Sequence, residues 1–343
     1  MGRWLWWLFW VGFPAVACGE PVLERFQFTQ TEMAVPIRLV FYAPDKDYAN
    51  RAAKAVFGRF HQLNGILSDY DPESELNRLC RTAGGGKVVP VGPELWTVLE
   101  HAQHTAARSE GAFDVTIGPV VHLWRRARRQ EELPPPHRLD VARSLVGYRL
   151  MRLDPERRTV ELLKPGMLLD LGGIAKGYAV EQGLAVLRQM GVARAMIHAG
   201  GDIGLGDPPP GKDGWLVGVG LLEPAGPPSL MLTVSHCFVA TSGDMWQSVV
   251  IDGKRYSHIV DPRTGIGLTD RSSVTVVGPK GISADALGKA VAILGPGKGL
   301  KLIDETPGMA ALILRAPAGK RETYQSSRWK DLKAVAPQAV RTP

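Results

Sequence analysis

Leu169-Asp170-Leu171-Gly172-Gly173-Ile174-Ala175-Lys176-Gly177 passes from a strand end through a glycine turn into a helix start. There, free backbone N–H groups and the helix dipole favour a phosphate. Taken alone the turn is weak support for a ligand, because many strand-to-helix connections need glycine merely for backbone geometry. The apolar spacing predicts that the helix runs over 175–190, with Gly191 as its C-terminal stop. Downstream, strands dominate: 195–198, 215–219, 230–234, 238–241, 248–251 and 273–277. A helix from near Ser283 to just before Gly295 and a strand over 310–315 complete the body.

Upstream of the glycine turn the pattern is more helical. Ile37-Arg-Leu-Val-Phe-Tyr42 reads as a strand, and 48–67 carries apolar residues at helical spacing. Asp71-Pro72 predicts an N-cap with proline at the first helical position, opening a short helix through Leu79. A helix follows over 93–109, then an exposed proline-rich connection over 131–136, then paired short strands around 148–153 and 159–163. With neither strict strand–helix alternation nor an internal repeat, the fold class is α+β. Beyond Ala316, prolines, a Ser-Ser pair and scattered charges predict a loose surface extension over 316–343.

Composition fits a packed globular protein: 343 residues, 45% apolar and 22% charged. Arg3 precedes the apolar run from Trp4 to Val16, which ends in Ala15-Val16-Ala17-Cys18, a signal-peptide layout over 1–17. The run is shorter than the ~20 residues a spanning helix needs, so export and removal are expected. An A-x-A site allows simple secretion; Cys18 after small residues resembles a bacterial lipobox, and the lipidated Cys18 terminus is the preferred reading. That would leave Cys80 and Cys237, read as two buried thiols rather than a disulfide, in no zinc-type spacing. The net charge of +7 becomes +6 once Arg3 is removed, with the excess in Arg125-Arg126-Ala127-Arg128-Arg129 and the tail. Such a surface suits an acidic membrane or an anionic ligand, and equally a solvated face with no partner. Nucleic acid is disfavoured, because no binding motif accompanies the charge.

Five further stretches carry chemistry. Gly111-Ala112-Phe113-Asp114 sets an acid and an aromatic at a helix entrance, where Asp114 alone reads as a cap. His198-Ala-Gly-Gly-Asp202 and Thr241-Ser-Gly-Asp244 are turns that pair glycine with a carboxylate. His258-Ile259-Val-Asp261-Pro-Arg263-Thr-Gly265 follows a hairpin, and a histidine flanked by an acid and an arginine can act as a base or phosphate donor. Ser283-Ala-Asp285 puts a carboxylate in the first turn of a helix, where it caps the helix or binds a divalent cation.

The ordered set, together with Leu67-Ser-Asp-Tyr70-Asp-Pro-Glu-Ser-Glu-Leu-Asn-Arg-Leu79, resembles the ApbE flavin transferase family over about 31–315. The resemblance implies two intertwined α/β subdomains with the flavin site between them. It further implies an exported, often lipid-anchored, periplasmic enzyme that splits FAD with magnesium, moves FMN onto a threonine of a membrane redox protein and releases AMP. Family flavin-contact positions fall on Met33, Tyr70, Ala112, Phe113, Asp114, Asp170, Lys176 and Ile259; His258 matches the family's proposed base, and Lys176 and Arg263 are candidate phosphate contacts. Magnesium would be held by the Gly173 carbonyl, by Asp285 and by a threonine at the position that here is Lys289. A charged ammonium has three donors and no lone pair, so Lys289 is not an ordinary ligand. Spaced i,i+4 with Asp285, it can take the missing cation's place or silence the site. Met33-Ala-Val also departs from the family's usual Met-Gly-Thr. The rival readings are an FAD pyrophosphatase yielding FMN and AMP, and a non-catalytic flavin-binding lipoprotein.

Overall fold

Along the strand Val35–Ala43, Ile37, Leu39 and Phe41 point to one side and Val40 to the other, and all four are buried. That two-residue alternation with both faces apolar marks a strand covered on each side. The structure, a computed structural model, describes residues 23–220, 222, 228, 230–243 and 247–335. The predicted leader, Cys18, Asp244 and the last eight tail residues lie outside them.

Eight strands form one sheet in the spatial order Glu24–Glu32, Val35–Ala43, Ala195–Ala199, Asp202–Leu205, Cys237–Gly243, Ser272–Gly278, Ala310–Arg315 and Glu322–Gln325. Every neighbouring pair is antiparallel. Spatial order therefore follows chain order, and helices and smaller sheets enter as insertions between successive strands. Seven helices are described: α1 (Lys46–Leu67), α2 (Glu75–Cys80), α3 (Pro93–Arg108), α4 (Gly118–Gln130), α5 (Pro136–Arg143), α6 (Ala175–Gln189) and α7 (Gly281–Asp304). The α+β expectation is met, with one continuous sheet running through the region expected to hold two subdomains.

One face of the sheet carries α1, α6 and α7, whose apolar stripes close over Ile197, Ala240, Val274, Val276 and Ile313. In α1 the buried residues Ala49, Ala52, Ala53, Val56, Phe60, Leu63 and Leu67 recur at three- and four-residue intervals, and Asp45 caps the helix by accepting from the Tyr48 N–H at 2.7 Å. The opposite face, including Val40, Leu205 and Val239, packs on a three-stranded sheet of Trp215–Val219, Leu230–Val234 and Ala334–Val335. A third cluster joins α4 and α5 to the hairpin Ser248–Ile251/Lys254–Ser257 through Trp124, Ala142, Ile251, Tyr256 and Val260.

The crossing of α6 and α7 is unusually close. A Cβ on Gly177 would lie 2.2 Å from the Gly281 carbonyl oxygen and 2.6 Å from the Asp285 Cβ. Only glycine fits there, and the contact brings the first turns of two helices together at the predicted phosphate turn.

Several expectations change. The short helix begins at Glu75 rather than beside Pro72: Ser74 is its cap, accepting from the Asn77 N–H at 3.0 Å, while Asp71 closes a turn on the Glu73 N–H. Residues 168–171 are not a strand; the Asp170 N–H is held by the Val115 carbonyl and the Leu169 N–H by the Cys80 sulfur. Helix α5 starts where the exposed connection ends. The helix expected to stop before Gly295 does so, since Gly295 is non-helical (φ 73°, ψ −176°), and a second helical stretch that the sequence reading did not include follows directly to Asp304. The tail is not loose through its first part: Glu322–Gln325 extends the main sheet, Trp329 is buried and Ala334–Val335 pairs with Leu230–Val234. One strand edge and one tryptophan suffice to dock a segment that is otherwise polar. Cys80 and Cys237 are free thiols, each pushed up to about 11 by burial.

Candidate active site

Arg125 of α4 organises the entrance. Its guanidinium donates to the Asp170 carboxylate at 2.8 Å and to Asp69, and lies 4.2 Å over the Tyr70 ring. One side chain thus ties α4, the 68–74 loop and the glycine turn, and part of the basic run is engaged by carboxylates rather than solvated. Tyr70, 71% exposed, is left with a flat ring at the surface, suited to stacking. Asp170 Oδ1 accepts the Gly172 N–H at 2.8 Å and shapes the turn. Burial and the neighbouring Asp69 raise the Asp170 carboxyl above its usual range, against the pull of Arg125 and Lys176.

The glycine turn leads into α6, whose cap residue Ile174 offers no side-chain acceptor. The missing acceptor comes from another helix: Asp285 Oδ2 takes the Gly177 N–H at 3.0 Å. The expectation that Asp285 caps its own helix is thereby corrected, for it sits in the second turn of α7 and caps α6. Its other oxygen accepts from the Lys289 ammonium one turn later. Lys176 turns back onto the Gly172 carbonyl at 2.8 Å.

These groups form an electrostatic cluster with Asp202, which is buried at the hairpin turn between Ala195–Ala199 and Asp202–Leu205. Burial and the like charge of Asp285 push the Asp202 carboxyl up to about 7, opposed by Lys289 and Lys176. Burial would also raise Asp285, but Lys289, Lys176 and the two hydrogen bonds outweigh it and hold that carboxyl below its usual range. Burial disfavours the Lys289 ammonium, yet Asp285 and Asp202 together hold it above its ordinary value. Two carboxylates thus face two ammonium groups.

His258 enters from the loop after the Lys254–Ser257 strand. Its backbone N–H and ring Nδ1 both meet the Gln247 carbonyl at 3.0 Å. A carbonyl only accepts, so Nδ1 carries the proton and Nε2 presents the lone pair. Burial, with the cations of Lys289 (α7), Arg128 (α4) and Lys176 (α6), lowers the imidazole to about 4 against the pull of the Gln247 carbonyl. The loop is fastened to α4 by the Trp124 indole, which donates to the Gly265 carbonyl at 2.7 Å, and by Arg128, which reaches the Gln247 side chain at 3.4 Å.

The other predicted residues vary in their access. Ala112, Phe113 and Asp114 are buried; Asp114 caps the turn after it by accepting from the Thr116 N–H and hydroxyl. Phe113 borders the site, since its ring edge is 3.2 Å from the Cβ position of Gly173. Ile259 is buried, and its N–H is held by the Ser257 hydroxyl. Met33 and Ala34 form the hairpin turn beside the Gly200 turn, both at positive φ (50° and 62°), a conformation that favours glycine where this chain has Ala34. Arg263 grips Asp261 through two hydrogen bonds of 2.9 and 2.7 Å, so its guanidinium is already committed to a carboxylate. Arg125, Arg128, Gln247 and Asp202 are the site residues that sequence reasoning did not assign. The arginines sat in a visible basic run and Asp202 in a noted turn, whereas Gln247 acts mainly through its backbone and left no signal.

A divalent cation does not fit these donors. Both Asp285 oxygens have partners, one of them the Lys289 ammonium, and the Lys289 stem runs past Gly173, 3.6 Å from its Cβ position, so a cation there would meet an ammonium. Among the described residues no three His, Cys, Asp or Glu side chains converge on a metal position.

Two lysines, two carboxyl groups and a neutral histidine gathered at a helix start on an antiparallel α+β body are the donor set of a site that can take a phosphate. Residues 32–313 match the ApbE family, and the chain belongs to it. It is 35% identical over 328 residues to a FAD:protein FMN transferase of Treponema pallidum, covering 88% of this chain and 90% of that protein. A Haemophilus influenzae protein of the same name is 31% identical over 278 residues, covering 79% and 80%. The fold superposes on flavin transferase ApbE from Vibrio cholerae with a TM-score of 0.81 at 24% identity, covering 91% of this chain and all of that one. The ApbE protein of Thermotoga maritima gives 0.79 at 27% identity, covering 90% and 98%.

Proposed function

We propose that this chain transfers FMN from FAD to a threonine of an acceptor protein and releases AMP. Family membership and the names of its relatives support the reaction. The observation that carries it to this chain is the neutral His258, with Nε2 available, beside the Lys176–Lys289 pair.

The chemistry requires an alcohol oxygen to attack the phosphorus on the riboflavin side. His258 Nε2 takes the hydroxyl proton, a new threonine O–P bond forms, and the P–O bond to AMP breaks. AMP leaves with the bridging oxygen and its electron pair. Because phosphoryl transfer depends mostly on positioning and charge stabilisation, the ammonium groups of Lys176 and Lys289 neutralise the developing charge. Tyr70 offers its face to the isoalloxazine ring. No step is assigned to magnesium. We further assign the chain a lipid anchor at Cys18 and a periplasmic location, with a membrane redox subunit as acceptor; the signal-peptide layout of the first residues supports this.

Incubation of purified protein with FAD and a threonine-bearing acceptor tests the reading. Covalent flavin on the acceptor with stoichiometric AMP is the expected result. Free FMN with AMP would instead make water the nucleophile, and intact FAD after long incubation would make the chain a flavin-binding protein.

A further inference from the structure

We propose that the Lys289 ammonium is the resident cation of this site and binds the FAD pyrophosphate directly, so that this chain captures its nucleotide without a divalent metal ion. The inference rests on the reading of the site as an FAD site and goes beyond it by naming the group that holds the phosphates.

The argument begins with where Lys289 lies. Its stem runs along the glycine turn, 3.6 Å from the Gly173 Cβ position, and its head ends on Asp285, a fully buried carboxylate. The side chain keeps 18% of its surface exposed, so it is held from within the fold by Asp285 without being sealed off from solvent. Asp285 engages one of its three N–H donors, and among the described residues it is the only hydrogen-bond partner of that ammonium. The remaining donors point to an anion as partner.

Charge balance leads to the same conclusion. Lys176 and Lys289 stand against Asp285 and against Asp202, whose carboxyl is pushed up to about 7 by burial and the charge of Asp285 and is only partly ionised near neutrality, so the cluster is already cationic with no further ion. A divalent cation beside Lys289 would add two positive charges where solvent screening is weak, and would have to displace either the ammonium or the Gly177 N–H from Asp285. An incoming pyrophosphate supplies the negative charge that complements the two ammonium groups. A threonine at 289 would reverse this balance, leaving Asp285 without its cation beside a hydroxyl that can ligate a metal.

Flavin fluorescence titrations in excess EDTA or in millimolar magnesium test the proposal on the wild type, Lys289→Thr and Lys289→Arg. Manganese binding to the nucleotide-free proteins is followed in parallel by electron paramagnetic resonance. Wild-type FAD affinity should be the same in both buffers within about threefold, and Lys289→Arg should keep its affinity in EDTA. Lys289→Thr should lose about tenfold or more in EDTA, the worth of one charge-assisted hydrogen bond, recover in magnesium, and gain a manganese site absent from the wild type. A wild-type affinity that falls about tenfold when magnesium is removed, again one such bond, overturns the inference alone. So does a Thr variant indifferent to metal. Absence of FAD binding by the wild type in either buffer overturns the functional reading and the inference together. Should the Thr variant fail to fold, the two wild-type titrations still decide.

Discussion

Replacing His258 with Asn is expected to lower FMN transfer by roughly 10²–10⁴-fold, the usual contribution of a positioned general base, while FAD binding persists. Asparagine can still donate to the Gln247 carbonyl but offers no basic nitrogen where Nε2 stood. The wild-type pH profile provides a second check. A group whose pKa in the folded protein is lowered to about 4 stays neutral above that value, so the His258-dependent rate should be level from mildly acidic to neutral pH and fall only as pH drops through about 4. The midpoint of an unperturbed histidine, near ~6.5, would show that burial and the cations of Lys289, Arg128 and Lys176 do not act on it. Rapid-quench product analysis across pH, with FAD affinity measured at each point, separates the two. Transfer retained in the Asn variant would remove His258 from the mechanism.

Asp285→Ala is expected to destabilise the fold by about 3–5 kcal/mol, the range for breaking a buried ion pair by deleting one partner. Two losses combine: Lys289 keeps its charge with no carboxylate on its own helix, and the α6 start loses the acceptor for the Gly177 N–H. Adding Lys289→Met to Asp285→Ala should recover a large part of that cost, because no uncompensated charge remains. Urea unfolding of the wild type, both single variants and the double variant measures the coupling. A cost for Asp285→Ala under about 1 kcal/mol, no more than an exposed ion pair is worth, would mean that this pair does not organise the helix crossing.

Much of this arrangement was legible before any coordinates. The α1 stripe, the Gly191 stop and the strands from Ala195 onward followed from period and punctuation, since their burial is set by local pattern. The tail misled because its strand pairs along an existing sheet edge, so backbone hydrogen bonding rather than apolar alternation places it. Asp71 carried the stronger cap signature, yet Ser74 won because its hydroxyl both caps α2 and donates to the Ser68 carbonyl.

Within the site, motif residues could be named but their roles could not. Asp285 looked like a cap for α7 and is a cap for α6, a fact set by the Gly177–Gly281 approach and not by anything local to residue 285. The i,i+4 spacing did predict the meeting of Asp285 with Lys289. Arg125 read as one charge among several, because its two carboxylate partners lie 56 and 45 residues away in sequence.

The central claim is that Lys176 and Lys289 hold a pyrophosphate beside a flavin ring. Equilibrium titration of the purified protein with FAD and with riboflavin tests it most directly. The account predicts that FAD binds at least about a hundredfold more tightly, the worth of two charge-assisted hydrogen bonds. Equal affinity for the two, or no measurable affinity for FAD, would contradict it.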